Sequence, residues 1–297
     1  GIAVSEAYNP EIESTVQFKK RYSEYDIHIE TENYERFLNK VDAVYIATPH
    51  NSHYDYAKKA IVTGKHVLVE TPMVLLGFQA KELFKMAEER GVILMEANKT
   101  AHCPAFNHLI VMIKSGVIGE VVDIEASVSQ LLDKSGREFD PNQSGGALYE
   151  QGSSVLLPMV KLLGTECRNI NIYSRMENGV DIYTKGVLRY DHAICSFKAG
   201  LGVKTEGNLV ISGTKGYAYV PAPWWKTDYF ELRYEDQNKN RKFFYKWDGA
   251  GLRYEIQEFI SCIVNKRFST ARLRRRESIW IADVMEQFQT RKNVMEI

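Results

Sequence analysis

Through its first 120 residues the chain alternates short apolar runs with amphipathic stretches that end at glycine. This pattern constrains the fold more than any other feature. DAVYIAT (42–48), KHVLVE (65–70) and VILME (92–96) read as strands buried on both faces. Helical spacing runs over 51–63 and 77–90, which stop at Gly64 and Gly91, and over 103–115 before Gly116. GIAVS (1–5) reads as a further strand, and 10–21 as a helix that Pro10 can start. Strands of this length separated by helices form βαβ units, and right-handed crossovers place the helices over a parallel sheet.

The pattern changes at Gly119. EVVDIEASVSQLL (120–132) reads as a long strand, 133–146 as a polar loop, and 147–163 as a helix interrupted or kinked near Pro158. Between 168 and 247, NINIYSR, DIYTKGVLRY, HAICSF, NLVISG, GYAYV, YFELRY and KFFYKW are strand-like runs separated by turn sequences. Helices over 251–264 and 276–289 close the chain. The expected fold is therefore a Rossmann-like parallel α/β domain over 1–117 and an α+β domain over 118–297, the latter built on a large, mostly antiparallel open sheet.

Composition removes several function classes. Lys plus Arg and Asp plus Glu both number 38, which gives no support to a nucleic-acid partner. No run of 18 apolar residues suggests a membrane span, and GIAVSEAYNP lacks the layout of a signal peptide. The four cysteines are widely spaced, with no CxxC pair, so neither a zinc site nor a disulfide scaffold is expected. Free thiols fit a cytoplasmic protein.

In a doubly wound sheet, ligands bind beyond the carboxyl ends of the strands. Three such ends carry polar residues: Thr48-Pro49-His50-Asn51-Ser52-His53, Glu70-Thr71-Pro72 and Glu96-Ala97-Asn98-Lys99. Singly, each is also an ordinary capped turn. Together with SGVIGEV, GGALYE and LVISGTKGY, and in this order, they resemble the Gfo/Idh/MocA family of NAD(P)-dependent oxidoreductases. The resemblance implies a Rossmann unit, a second domain that supplies much of the substrate site and oligomer interface, and a sugar, inositol or related polyol as substrate. It also places Glu6, Thr48, Pro49, His50 and Glu70 at the cofactor.

The departures from that family are chemical. No GxGxxG occurs in the chain, so NAD or NADP is expected to bind only weakly to it as it stands. Residues 1–5 resemble the family's second strand, so the family's first βα unit, roughly 25 residues, is expected either to precede Gly1 or to be lacking in this protein. The usual Glu-Lys-Pro lysine is Thr71, and in the GGxxxDxGxxH segment the Asp and His positions hold Glu150 and Ser154. Threonine and serine do not titrate as lysine and histidine do. Thr71, Lys99 and Glu150 are the candidate catalytic residues, Glu150 as a base and Lys99 as the local substitute for the missing lysine or else a surface lysine or partner of Glu96, with Tyr149, Ser154 and His192 at the substrate. A non-catalytic sugar sensor, regulatory subunit or structural partner is the alternative. His192 follows Asp191 as a possible acid–base pair, or is a turn residue, and His53 reads equally as packing, capping or catalytic. Trp224-Trp225 suggests packing or a subunit contact, and a homodimer or homotetramer through the second domain is expected. The basic run Arg272-Leu273-Arg274-Arg275-Arg276 reads as a solvated face, with a small anionic ligand as the lesser reading.

Overall fold

In the computed structural model, which describes residues 3–247 and 249–297, β3 (Ala43–Ile46), β4 (His66–Glu70) and β5 (Leu94–Ala97) form a parallel ladder. Strand alternation gives this ladder two apolar faces. Val44, Ile46, Val67, Val69 and Leu94 lie in the core shared with α3 (His53–Val62) and α4 (Gly77–Arg90). On the other face Leu68, Met95 and Ala97 meet Phe259 and Cys262 of α8 (Leu252–Val264). Gly91 ends α4 at φ 65°, a left-handed cap that glycine adopts without a Cβ clash.

The first strand is β1 (Glu6–Tyr8), not 1–5. Ala3–Ser5 are irregular, and Gly1 and Ile2 lie outside the described residues. After α1 (Ile12–Arg21), β1 pairs in parallel with β2 (His28–Glu30), and α2 (Tyr34–Leu38) follows. The strand β2 and helix α2 are too short to show a period in the sequence. The two parallel ladders are separate, with order β2-β1 and β3-β4-β5, and no hydrogen-bonded register joins β1 to β3.

After α5 (Lys99–His102) and α6 (Pro104–Lys114), a nine-stranded sheet follows. Its strands are β6 (Val121–Ser129), β7 (Asn169–Glu177), β8 (Val180–Arg189), β9 (Ile194–Gly200), β10 (Leu209–Gly213), β11 (Tyr217–Val220), β12 (Tyr229–Arg233), β13 (Arg241–Phe244) and β14 (Val294–Glu296). They lie in the order β13-β12-β11-β10-β6-β9-β8-β7-β14. Only β6–β9 and β7–β14 run parallel. One face is covered by α7 (Ala147–Leu163), which continues through Pro158 without the interruption expected from the sequence. The proline costs only the hydrogen bond to the Ser154 carbonyl, and packing of the buried helix retains the segment. Trp224 is fully buried under this sheet and donates its indole N–H to Ser127 O at 2.9 Å, so it is a packing residue.

The last helix, α9 (Arg275–Gln289), wedges between α4 and α7. Two glycines allow its close approach. A Cβ on Gly77 would fall 1.7 Å from Asp283 Oδ1, and one on Gly152 would fall 2.5 Å from Met285 Cε. Lys161 and Glu277 form a buried ion pair at 2.9 Å across the α7–α9 seam, and Lys161 also donates to Ala271 O. Removing one partner leaves a buried charge unpaired, which costs about 3–5 kcal/mol. Lys161→Ala is therefore expected to lower the urea midpoint strongly. Arg168→Ala, which breaks an exposed pair with Asp191, is expected to change stability by less than about 1 kcal/mol. Equal midpoints for the two variants would contradict this account of the seam.

Candidate active site

His53, the first residue of α3, ties two strand-end loops together. Its ring is fully buried, with Nε2 2.8 Å from Thr48 O and Nδ1 2.9 Å from Pro72 O. A neutral ring donates to only one of these carbonyls, and burial lowers the His53 pKa. The Thr71–Pro72 peptide is cis. Next to it, Glu70 accepts hydrogen bonds from the Tyr45 hydroxyl and from the Thr71 N–H at 3.3 Å.

The same loops meet the second sheet's helix. His50 is buried, with Nδ1 3.2 Å from Ser144 O and Nε2 3.6 Å from Glu150 Oε1. Arg137 holds Glu150 with two N–H···O bonds of 3.0 and 3.3 Å. Burial raises the Glu150 pKa, and the Arg137 charge opposes that shift. Asn51 donates to Asn142 O at 2.9 Å across the same seam. Beyond β5, buried Glu96 accepts from the Ser153 hydroxyl at 3.2 Å, and Asn98 donates to Ser153 O at 3.3 Å while capping α5. Lys99 is half-buried at the start of α5.

Through these contacts Thr48, Pro49, His50, Glu70, Thr71 and Glu150 gather at one junction, the candidate crevice, where the β3 and β4 loops meet α7, with Lys99 on the adjoining α5 and Ser154 on α7. Glu6 stands at the start of β1 rather than beyond its end. Its carboxylate is taken by His28 at 2.6 Å and Lys40 at 3.5 Å. Tyr149 packs edge-on against Phe288. His192 is not brought to the crevice: it is exposed in the β8–β9 turn, at the opposite end of β8 from the α7 N-terminus. That is about 30 Å away at the rise of an extended strand. Its neighbour Asp191 is held by Arg168 in two 2.7 Å bonds.

The sequence reading missed Arg137, Ser153 and Glu255. Arg137 lies in a polar loop with no periodic signal, and Ser153 is an ordinary helix residue until α7 meets β5. Glu255, on α8, is fully buried, and neither carboxylate oxygen has a partner among the described residues. Burial, then the Glu70 charge, push its pKa up to about 8, and Lys99 opposes the shift.

Two profiles of one family cover most of this architecture. Residues 3–98 match the oxidoreductase family with an NAD-binding Rossmann fold, and residues 106–219 match the GFO/IDH/MocA C-terminal domain. The chain belongs to the Gfo/Idh/MocA oxidoreductase family. It is similar to trans-1,2-dihydrobenzene-1,2-diol dehydrogenase of Oryctolagus cuniculus, at 28% identity over 83% of this chain and 78% of that protein. It is also similar to dTDP-3,4-didehydro-2,6-dideoxy-alpha-D-glucose 3-reductase of Actinomadura kijaniata, at 32% identity over 67% of this chain and 60% of that protein. A 3-ketoreductase from Actinomadura kijaniata, solved with NADP and TDP-benzene, shares the fold with a TM-score of 0.85 and 22% identity, covering 99% of this chain and 90% of that one. Levoglucosan dehydrogenase, solved with NADH and levoglucosan, has a TM-score of 0.83 at 18% identity, covering 98% and 89%.

The crevice suits part of a dinucleotide. The loops after β3 and β4 carry backbone groups and the Glu70 carboxylate, the donor and acceptor chemistry that such a ligand uses. The described residues hold no glycine-rich strand–turn–helix for the pyrophosphate, and the β1 and β3 edges that would flank such a strand are unpaired.

Burial sets the acid sensitivity of the histidines. His50 and His102 are both pushed down to about 4, chiefly by burial. An unfolded histidine titrates near 6.5, so the unfolded chain binds more protons between pH 6.5 and 4, and stability falls as pH falls through that window. Each histidine is expected to remove roughly 2–3 kcal/mol between pH 6.5 and 4.5. Urea midpoints measured across this range should fall less steeply for a His50→Gln/His102→Gln double variant. An unchanged slope would show that these rings do not carry the effect.

Proposed function

We propose that this chain is an NAD(P)-dependent oxidoreductase that interconverts a hydroxyl and a carbonyl on a sugar, polyol or sugar derivative. We further propose that its turnover is limited by the residues at positions 71 and 154. The observation that carries this reading is the joining of the β3 and β4 strand-end loops to Glu150 of α7 through His53 and His50. Family membership supports a nicotinamide cofactor, as do the NADP and NADH of the solved relatives, and the levoglucosan of one of them supports a sugar-like substrate. When bound, the nicotinamide supplies or accepts the hydride.

The chain's own residues do the rest. Thr48, Pro49, His50 and Glu70 border the nicotinamide half. Glu70, held by Tyr45 and the Thr71 N–H, keeps that loop in place. Arg137 orients Glu150 and favours its charged form, so Glu150 can accept a substrate hydroxyl bond or proton. Thr71 offers an uncharged hydroxyl where an ammonium would clamp the substrate oxygen, and Ser154 offers no titratable group near neutral pH. Lys99 is the nearby cation that can replace that clamp. Those two substitutions also favour a second reading, a family member that binds a sugar-like ligand without turning it over.

One assay separates the two readings. Parent and Thr71→Lys proteins are tested with polyols, diols and keto sugars at millimolar NAD(H) and NADP(H). A restored charged contact is worth about 1.5–3 kcal/mol, so Thr71→Lys should raise turnover roughly 10- to 100-fold. Strong parent activity that collapses in Lys99→Met would move the proton role to Lys99. Absence of turnover in both proteins would leave only the binding reading.

We also propose self-association through the open face of the nine-stranded sheet, where Tyr173, Tyr183, Val187 and Tyr219 are half-buried and Tyr217 is exposed. Light scattering at tens of micromolar should give a dimer or tetramer, and a Tyr219→Glu change should lower the mass. A parent monomer would end this proposal.

A further inference from the structure

We infer that a second ligand site lies outside the crevice, in a groove at the start of α9 that takes a small oligophosphate anion. Arg267, Phe268, Ser269, Thr270 and Ala271, from the α8–α9 connection, line it together with Glu88 of α4 and Arg274, Arg275 and Arg276. The space between them is about 670 Å³. Small-ligand sites commonly span about 300–1,000 Å³.

Charge pairing in this region leaves two cations over. Arg267 and Arg272 share Glu258, at 3.4 and 3.7 Å. Arg275 pairs with Glu88 at 2.9 Å and lies over the Phe84 ring. Glu277, the next acid along the chain, is occupied by Lys161 and by the Arg274 backbone N–H. The exposed side chains of Arg274 and Arg276 have no ion partner among the described residues. In a chain with zero formal net charge, this is a local surplus rather than a general basic character. The surplus reaches Lys114, at the end of α6. Its pKa is pushed down chiefly by burial and by Lys161, with Arg274 and Arg276 adding to the effect.

The geometry favours a compact anion with several oxygens. Planar guanidinium forks bind phosphate oxygens in pairs, and two unpaired forks bordering one groove match a ligand carrying two or more charges. Phe268, 50% exposed, supplies an apolar wall beside them. The groove adjoins a narrower inner pocket bordered by Phe268, Ser269, Thr270, Arg275, Ser278 and Glu96. Glu96 is almost wholly buried, and its Oε2 has no partner among the described residues. Burial raises the Glu96 pKa, which favours a neutral carboxyl that does not repel an anion in the outer groove. The inner space of about 10 Å³ is at the limit for one water, so the ligand itself occupies the outer groove.

The test is calorimetric titration of the whole chain with tripolyphosphate at low and high salt. Binding with a Kd of roughly 10–500 μM that weakens with salt is expected. Arg274→Glu/Arg276→Glu should weaken it at least tenfold while leaving the circular dichroism spectrum and urea midpoint at the parent values. His50→Gln, in the crevice, should leave it unchanged, which separates this site from the proposed cofactor site. Three results would overturn the inference: no binding of tripolyphosphate, equal affinity in the arginine variant, or a response to heparin alone. An affinity that follows the His50 variant instead would place the anion in the crevice and also overturn it.

Discussion

The architecture depends on how closely α9 approaches two other helices. It passes α4 at Gly77 and α7 at Gly152, where there is no room for a Cβ without moving Asp283 or Met285. Glu286 then accepts the Gly77 N–H at 2.8 Å, and the Lys161–Glu277 pair closes the other side of the wedge. A helix from the end of the chain thus joins the parallel ladder to the nine-stranded sheet. Dense packing lets such a seam transmit position, because side chains at native density cannot slide independently. The same α7 carries Glu150 to His50 at the strand-end loops.

Within the crevice, burial is the leading influence on the groups whose pKa shifts are resolved. His50, His53 and Glu150 are each displaced first by loss of water and only then by neighbours, as are the buried Glu96 beyond β5 and Glu255 of α8. Desolvation favours the uncharged form, so the histidines lose protons and the carboxyls keep them. Arg137 supplies the counter-charge that draws Glu150 back toward ionisation. Arg137 is thus the cation held against Glu150, and Lys99 opposes the shift at Glu255.

The β3-β4-β5 ladder, the change of pattern at Gly119, the strands after 168 and the two closing helices were legible because each rests on local periodicity and on glycine or proline punctuation. The short elements β2, α2 and β14 were not, since three to five residues cannot display a period. At Pro158 the local cost of one hydrogen bond suggested an interruption or a kink, while α7 runs unbroken from Ala147 to Leu163 and is largely buried. The site was partly legible. The loops at Thr48–His53 and Glu70–Pro72 announce themselves by position at strand ends. Arg137 and Glu255 carry no such signal, because an arginine in a polar loop and a glutamate on an amphipathic helix look ordinary until they are folded against something.

By itself, the sequence determined the periodicities, the order of elements and the chemical identity of positions 71, 150 and 154, all of which are properties of neighbours along the chain. Tertiary structure decided which of those residues meet. It brought His50 to Glu150 and Arg137, carried His192 to the far end of β8, buried Trp224 as packing, and left Arg274 and Arg276 without acids. The physical reason is that contact, burial and charge pairing depend on residues far apart in sequence, and only the packed helices and sheets fix those distances.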